Sequence, residues 1–271
     1  MLTESAQRQY LARIKRALQA ATEIARQYAP GTFRVRDNGG RNVITEVDCR
    51  LSEVLRGHLL QPGEGWLSEE DPDDQARLAS DIVWVVDPVD GTREFVDVIP
   101  EWCISVGLVV EGVATAGGTC NPASNESFLG SLDCGVTYNG RLVRAATRTT
   151  LDGAVVLASR QECKRGEWRR FDQAPFEVRP MGSIAYKLSL VSAGLADATW
   201  TLSPKHEWDV AAGVALVTSA GGHVACTDNA APRFNRSNTL VAKLVASGEA
   251  LWPEIVQFIE RDRSSKNLDT A

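Results

Sequence analysis

Asp87 and Asp90 stand three residues apart in Trp84-Val85-Val86-Asp87-Pro88-Val89-Asp90-Gly91-Thr92-Arg93-Glu94-Phe95, where an apolar run stops at two carboxylates and a Gly-Thr step follows. Hard divalent cations such as Mg²⁺ need several oxygen ligands, and a carboxylate can bridge two ions while offsetting their charge. Pro88 restricts the turn, and the Val89 carbonyl adds a neutral oxygen between the acids. Gly91 lets an oxyanion approach the chain closely. Thr92 offers a hydroxyl and a backbone N–H where a helix or tight turn could start, so a phosphate fits beside the metals. Glu69 or Glu70 could complete the metal shell from another element, and Asp209 from the second half of the chain. The competing reading is structural: Asp87 and Asp90 end a strand and cap a turn. These residues alone leave both readings open.

The elements that would bring these side chains together follow from hydrophobic periodicity. Leu11, Ile14, Leu18, Ala21 and Ile24 recur at spacings of three and four, which predicts an amphipathic helix from about Ser5 to Tyr28, ended by Ala29-Pro30-Gly31. Asn38-Gly39-Gly40-Arg41-Asn42 predicts a turn-prone loop. Val43-Ile44-Thr45-Glu46-Val47-Asp48 then leads into a second helix beginning near Asp48, which could cap it. Trp66-Leu67-Ser68 and Ile82-Val83-Trp84-Val85-Val86 predict short strands whose ends carry Glu69/Glu70 and Asp87. Glu111-Gly112 predicts a hairpin within 103–118, and Tyr138-Asn139-Gly140-Arg141 another turn. In the second half, a strand over Ala154–Ala158, a helix over Ile184–Ala193, an extended piece at Ala196–Thr199 and a helix over Trp208–Thr218 are expected, with Asp209 in the first turn of the last. A strand over Thr239–Ala246 and a helix over Glu249–Arg261 close the pattern, before a polar tail. The polar, Thr-rich stretch at Ala146–Asp152 predicts a boundary near residue 150. An N-terminal α+β subdomain over 1–150 would then carry most metal ligands, and a C-terminal α/β subdomain over 151–271 would carry Asp209 and substrate-pocket residues.

Composition excludes several functional classes. At 271 residues, 44% hydrophobic and 24% charged, the chain can bury a substantial core and is not a disordered polymer. Its 29 Lys and Arg are outnumbered by 35 Asp and Glu, for a net charge of -6, which argues against a nucleic-acid polymer as partner; a small anion remains compatible if metals mask the local carboxylates. The opening Met1-Leu2-Thr3-Glu4-Ser5 has no basic segment leading into an apolar core, and no apolar run reaches membrane-spanning length, so a cytoplasmic protein without a membrane partner is expected. The six cysteines, at 49, 103, 120, 134, 163 and 226, are scattered and form no C-x-x-C pair; reduced structural thiols are expected, Cys49 among them as a buried one. Trp84, Trp102 and Trp208 are expected in core packing, His58 towards solvent or a polar contact, and His223 at the start of a strand.

Glu69-Glu70, Asp87-Pro88-Val89-Asp90-Gly91-Thr92, Trp208-Asp209-Val210-Ala211-Ala212-Gly213 and Ala220-Gly221-Gly222, taken in that order, resemble the successive signatures of the inositol monophosphatase superfamily of metal-dependent, lithium-sensitive phosphatases. Val43-Ile44-Thr45-Glu46-Val47-Asp48 is similar to its upstream Val-Thr-x-x-Asp segment, and the similarity runs from about residue 8 to 258. Within the superfamily, Leu67-Ser68-Glu69-Glu70-Asp71, Asp90-Gly91-Thr92-Arg93-Glu94-Phe95 and Gly182-Ser183-Ile184-Ala185-Tyr186-Lys187 most resemble the 3′(2′),5′-bisphosphate nucleotidase branch, often called CysQ. The chain departs from the family where Arg36 and the connection Asp37-Asn38-Gly39-Gly40-Arg41-Asn42 replace an upstream Lys.

The resemblance implies a layered α-β-α-β-α fold of the α+β class and a homodimer. It implies two Mg²⁺ ions, one held by Glu69, Asp87 and the Val89 carbonyl, the other by Asp87, Asp90 and Asp209, with Glu69 supporting a third, weaker ion. Catalytic roles fall to Asp48, Glu69 and Thr92, with Asp48 holding Thr92 so that it orients a metal-activated water for in-line attack on phosphorus. Gly91 and Thr92 would bind phosphate oxygens. Gly182 and Ser183 would meet a ribose or inositol ring and Lys187 a second phosphate, unless Lys187 is merely a solvent-facing helical lysine. Arg93 and Glu94 would shape the pocket mouth or pair locally, and Lys205, His206 and Glu207 would contact a sugar or form an exposed loop. The implied reaction removes the 3′-phosphate of adenosine 3′,5′-bisphosphate, with its sulfated relative as a further substrate. An inositol-1-monophosphatase, a fructose-1,6-bisphosphate phosphatase and a histidinol-phosphate phosphatase are the enzymatic alternatives. A catalytically impaired phosphoinositide- or nucleotide-binding protein is the non-enzymatic one.

Overall fold

The computed structural model describes residues 3–28, 35–37, 43–227 and 229–268. The elements run α1 (Glu4–Ala25), β1 (Val35–Asp37), β2 (Val43–Thr45), α2 (Glu46–Leu59), β3 (Gly65–Ser68), β4 (Ile82–Asp90), α3 (Thr92–Val96), β5 (Cys103–Val110), β6 (Val113–Asn121), β7 (Glu126–Ser131), β8 (Gly135–Tyr138) and β9 (Arg141–Val143). After these come β10 (Val155–Ser159), α4 (Arg160–Lys164), β11 (Glu177–Met181), α5 (Ile184–Ser192), β12 (Ala198–Trp200), β13 (Lys205–His206), α6 (Glu207–Ser219), β14 (Gly222–Cys226), β15 (Leu240–Val241), β16 (Leu244–Gly248) and α7 (Trp252–Leu268). The predicted loop at 38–42 and the stop at 29–31 lie outside the described residues, as does the side chain of Arg36.

Two sheets set the layers. β3 to β9 form one seven-stranded sheet in sequence order, and β11-β10-β12-β16-β14 form a five-stranded one. On the outer face of the first sheet α1 and α2 bury Ile14, Leu18, Leu51 and Leu55 against Trp84, Val86, Val106 and Leu108. Its inner face meets α5 and α6, which in turn pack on the second sheet. Every residue of α5 is buried, as a helix between two sheets must be, since no face is left for water. Beyond the second sheet an aromatic cluster of Trp168, Phe171, Phe176 and Trp200 is closed by α7 through Ile255 and Phe258. The result is the expected α-β-α-β-α arrangement. Residue 150 falls between β9 and β10, yet one core containing Val85, Leu157, Leu188 and Leu216 spans both sheets.

The two predicted turns form as hairpins because Glu111-Gly112 and Asn139-Gly140 all take the positive φ values a two-residue turn needs. Several boundaries differ from the sequence reading. α1 stops at Ala25 rather than Tyr28. The single strand expected over 239–246 is broken into β15, which pairs with β13, and β16, which pairs with β12 and β14. Cys49 is exposed, not buried: Asp48 takes the inward direction on α2, and the next helical position lies about 100° further round. His223 lies at the start of β14, directly after Gly222, where its ring packs on Trp252 and its Nδ1 lies 3.3 Å from Glu249 Oε2.

Candidate active site

β4 places the two carboxylates of the opening motif by breaking its own regularity. Along β4 the pairing with β5 advances from Asp87 opposite Ser105 to Asp90 opposite Cys103, three steps against two. In a regular strand, residues an odd number apart face opposite sides; one extra residue in a bulge cancels that and turns both acids towards the same pocket. β3 lies parallel to β4 with Ser68 opposite Val86, so Glu69 emerges beside Asp87 at the same sheet edge, and its N–H donates to Val86 O at 3.3 Å. Asp209 comes from the central helical layer, in the first turn of α6, where its Oδ2 accepts the His206 N–H at 2.8 Å. α6 can come this close because Gly117 faces it: a Cβ there would stand 2.5 Å from Ala212 O.

Carboxylate oxygens of Glu69, Asp87 and Asp209 all lie within 4.8 Å of one another, a spacing at which three acids could hold a cation. Asp87 is buried; its Oδ1 accepts the Val89 N–H at 3.0 Å, while its Oδ2 is buried with no hydrogen-bond partner. A buried carboxylate oxygen left unpaired is costly unless something positive meets it. Burial, then Glu69, Asp90 and Asp209, hold Asp87 well above the usual carboxyl range. Loss of solvent, then the Asp209 and Glu70 charges, push Glu69 up to about 9, although the residue as a whole keeps solvent at the pocket mouth. Burial and Asp90 push Asp209 up to about 7. Acids this crowded cannot all ionise alone, and a divalent cation removes that conflict. The donor set, all oxygen and mostly carboxylate, fits a hard ion such as Mg²⁺.

Asp90 is held differently. Its Oδ2 accepts Ser183 Oγ and Ala185 N, each at 2.6 Å, so α5 fixes its orientation through the helix cap. Burial raises its pKa, and these two bonds with the charges of Lys187 and Lys205 pull it back. Ser183 Oγ also accepts the Tyr186 N–H at 3.0 Å. The hydroxyl expected to face a sugar ring therefore spends its proton inside the protein. Thr92 Oγ1 lies 3.4 Å from Asp48 Oδ1 and 3.0 Å from Val89 O. One proton serves one acceptor at a time, so Asp48 and the Val89 carbonyl compete for it. Gly91 precedes α3 at φ +95, and a Cβ there would press on Glu101 O and Trp102 at 3.1 Å, so only glycine makes this turn comfortably.

Glu69, Asp87, Asp90, Gly91, Thr92 and Asp209 line a cleft of about 300 Å³ that reaches Gly182, Ser183, Lys187, Trp200 and Lys205. Lys187 is 3% exposed, which rules out a solvent-facing lysine; Nζ donates to Gly182 O at 3.0 Å and Met181 O at 3.2 Å. Burial lowers its pKa to about 8, against the opposing pull of Asp90. Of Lys205, His206 and Glu207, only Lys205 lines the cleft. His206 stacks on Trp208 with ring centroids 4.4 Å apart, and the buried Glu207 accepts Asn235 N and Arg236 N. Glu94 is buried and Arg93 partly so, both at the cleft wall. Arg160 and Glu101 pair at 2.6 Å beside it, a contact across 59 residues that no local pattern announces. Among the described residues no disulfide forms and no helix is long and apolar enough to cross a membrane.

A family model described as the inositol monophosphatase family matches residues 7–260. The inositol-1-monophosphatase of Mesorhizobium japonicum is 27% identical over 268 residues, covering 93% of this chain and 96% of that protein. The Nus factor SuhB of Xylella fastidiosa is 34% identical over 196 residues, covering 69% and 71%. Among solved structures, the extragenic suppressor protein suhB of Bartonella henselae superposes with a TM-score of 0.77 at 25% identity, over 93% of this chain and 96% of that one. CysQ of Bacteroides thetaiotaomicron shares the fold, with a TM-score of 0.74 at 24% identity over 88% and 97%.

Proposed function

We infer the reaction from one premise: the chain belongs to the inositol monophosphatase family, whose members are phosphatases. The proposal is a Mg²⁺-dependent phosphomonoesterase that removes the 3′-phosphate of adenosine 3′,5′-bisphosphate and of 3′-phosphoadenylyl sulfate, giving AMP or adenosine 5′-phosphosulfate plus phosphate. The observation that carries the hydrolytic part is the unpartnered buried Asp87 Oδ2 beside Glu69 and Asp209. Glu69, Asp87 and the Val89 carbonyl would hold one Mg²⁺, and Asp87, Asp90 and Asp209 a second; Glu69 would also support a third, weaker ion. Bound there, Mg²⁺ supplies Lewis acidity that lowers the pKa of water and offsets charge on the ester oxygen as it leaves.

The chain's own residues do the positioning. Thr92 Oγ1, within reach of Asp48, would hold the attacking water in line with the phosphorus, and Asp48 would receive its proton through that hydroxyl. Backbone N–H groups at Gly91 and Thr92 would hold nonbridging phosphate oxygens. Lys187 has two of its three donors on main-chain carbonyls among the described residues; the third supports a role in meeting a second anionic group. Gly182 and Ser183 would form the floor under the ribose.

The nucleotidase preference rests on the segments at 67–71, 90–95 and 182–187. The inositol-1-monophosphatase reading is favoured by the similarity to relatives of that activity, the Mesorhizobium protein among them. Phosphate release from adenosine 3′,5′-bisphosphate, inositol-1-phosphate, fructose-1,6-bisphosphate and histidinol phosphate, measured side by side in Mg²⁺, decides between them. Highest kcat/KM on the nucleotide is expected; highest kcat/KM on inositol-1-phosphate overturns the nucleotidase reading. Binding of the nucleotide with no metal-stimulated release would favour an impaired binding protein instead. A homodimer, a cytoplasmic location and the division into subdomains at residue 150 belong to the same proposal.

A further inference from the structure

The turn that supports Asp90 is itself held from outside the metal cluster. Glu101 stands just before β5, and its carboxylate takes the Arg160 guanidinium in a fork: Nη2 lies 2.6 Å from Oε2 and 2.7 Å from Oε1, and Nε lies 3.2 Å from Oε2. The same Oε2 accepts the Gly182 N–H at 2.8 Å, across 81 residues. Both charged side chains are largely shielded, at 26% exposure for Arg160 and 20% for Glu101, where a forked, charge-assisted pair is well defined. From the other side Lys187 holds the Gly182 carbonyl. Gly182 is therefore pinned at its N–H by an anion and at its C=O by a cation. It has no slack either, because a Cβ at this position would stand 2.5 Å from Glu94 Cγ and 2.6 Å from Glu101 O.

The next residue converts that fixation into an orientation of Asp90. Ser183 sits at φ +42, a conformation non-glycine residues rarely adopt unless their neighbours impose it. From there it caps α5 and aims its hydroxyl at Asp90 Oδ2, the same oxygen that Ala185 N reaches. With Oδ2 occupied twice, Oδ1 is the oxygen left to turn towards the cluster.

We propose that Glu101 and Arg160 are a positioning pair for Asp90, holding the Gly182–Ser183 turn so that the Asp90 carboxylate presents its second oxygen to a divalent cation. This rests on the reading of Asp90 as a metal ligand. Glu101 stands behind the cleft wall and Arg160 on it; both act on Asp90 through the turn. Losing such an outer partner of a ligating carboxylate typically weakens metal affinity ~10–100-fold.

The test is Mn²⁺ binding to the full-length protein without substrate, by isothermal titration calorimetry, on wild type, D90N, E101A, E101Q, R160M, S183A and the E101A/S183A double variant. D90N is expected to lose one Mn²⁺ site, and E101A and R160M to weaken that site about tenfold. E101Q, which keeps a neutral acceptor for the Gly182 N–H, is expected to fall between E101A and wild type. The double variant is expected to bind no more weakly than S183A alone, because both changes act on one oxygen of Asp90. A residue that merely held the fold together would give losses that multiply. Circular dichroism shows which variants are folded; if E101A is not, E101Q and R160M decide. Mn²⁺ affinity within twofold of wild type in folded E101A or R160M, alongside a weakened D90N, overturns the positioning pair alone. Unchanged Mn²⁺ binding in D90N overturns the ligand reading beneath it.

Discussion

Replacing Gly117 with Ala is expected to loosen the fold and the acidic cluster together. The added Cβ would stand 2.5 Å from Ala212 O, 2.9 Å from Ala212 Cα and 3.0 Å from Ala212 C. Non-bonded heavy atoms settle at roughly 3.5–4.0 Å, so α6 must retreat by roughly 1 Å, and no rotamer relieves the clash because the opposing atoms are backbone. Overpacking of this kind costs about 1–3 kcal/mol, against a total stability of roughly 5–15 kcal/mol. Asp209 lies three residues before Ala212 on the same helix, while Asp87 and Glu69 belong to the sheet. The retreat therefore pulls one of the three carboxylates away from the other two. A displacement near 1 Å can cost on the order of 100-fold in a positioned reaction. Gly57 supplies the opposite sign: it is exposed in α2 with nothing within 4 Å of its Cβ position, so Gly57→Ala should stabilise by ~0.5–1 kcal/mol. Urea unfolding of both variants, with Mn²⁺ titration of the folded proteins, measures the two effects. Gly117→Ala with an unchanged urea midpoint would refute the packing argument. A destabilised but folded Gly117→Ala whose Mn²⁺ affinity equals wild type would refute the link from α6 to the site.

Three further outcomes are expected. Asp90→Asn should leave the protein folded and cut turnover by at least 100-fold at saturating Mg²⁺, since removing one preorganised electrostatic partner typically costs on the order of 10²–10³; near-normal phosphate release would contradict its metal role. Lys187→Ala should raise KM for adenosine 3′,5′-bisphosphate more than for a monophosphate, and equal losses on both would reduce Lys187 to a support of the Gly182 turn. Phe176→Ala removes a ring packed 5.3 Å from Trp200 and 5.2 Å from Phe258, and should cost about 3–5 kcal/mol by urea unfolding; a loss under about 1 kcal/mol would mean that the outer aromatic cluster collapses around the gap.

What could be read from the residues was what depends on neighbours in sequence. The Glu111-Gly112 and Asn139-Gly140 hairpins and most of the amphipathic run of α1 are local, and formed where their patterns lie. Side chains whose role depends on a distant partner gave no such signal. Lys187 could be read as a solvent-facing lysine because a helix is assumed to keep one wet face; α5 has none, lying between two sheets, so its lysine must find carbonyls and carboxylates. Glu101 and Arg160 are unremarkable in sequence, and only the fold, which brings the residues just before β5 to the ends of β10 and β11, makes them a pair. Glu207, next to two motif residues, looked available for a ligand, yet it is fully buried and ties down the chain at Asn235 and Arg236.

The motif at 87–92 carries its own explanation once the register is known. A strand ending at Val86 would have left Asp87 and Asp90 to a turn, where capping is as good a use for them as chemistry. Instead β4 continues to Asp90, and Pro88, which has no N–H to give to the ladder, sits where the pairing with β5 slips by one residue. The proline read in sequence as restricting a turn marks the bulge of the strand. Without the slip, two acids three apart would lie on opposite faces of the sheet, one in the outer core with Trp84 and Val86, the other in the cleft. With it, both reach the layer from which Asp209 descends. The spacing of three that reads as a turn in sequence is thus the spacing a bulged strand needs to aim two carboxylates at one pocket.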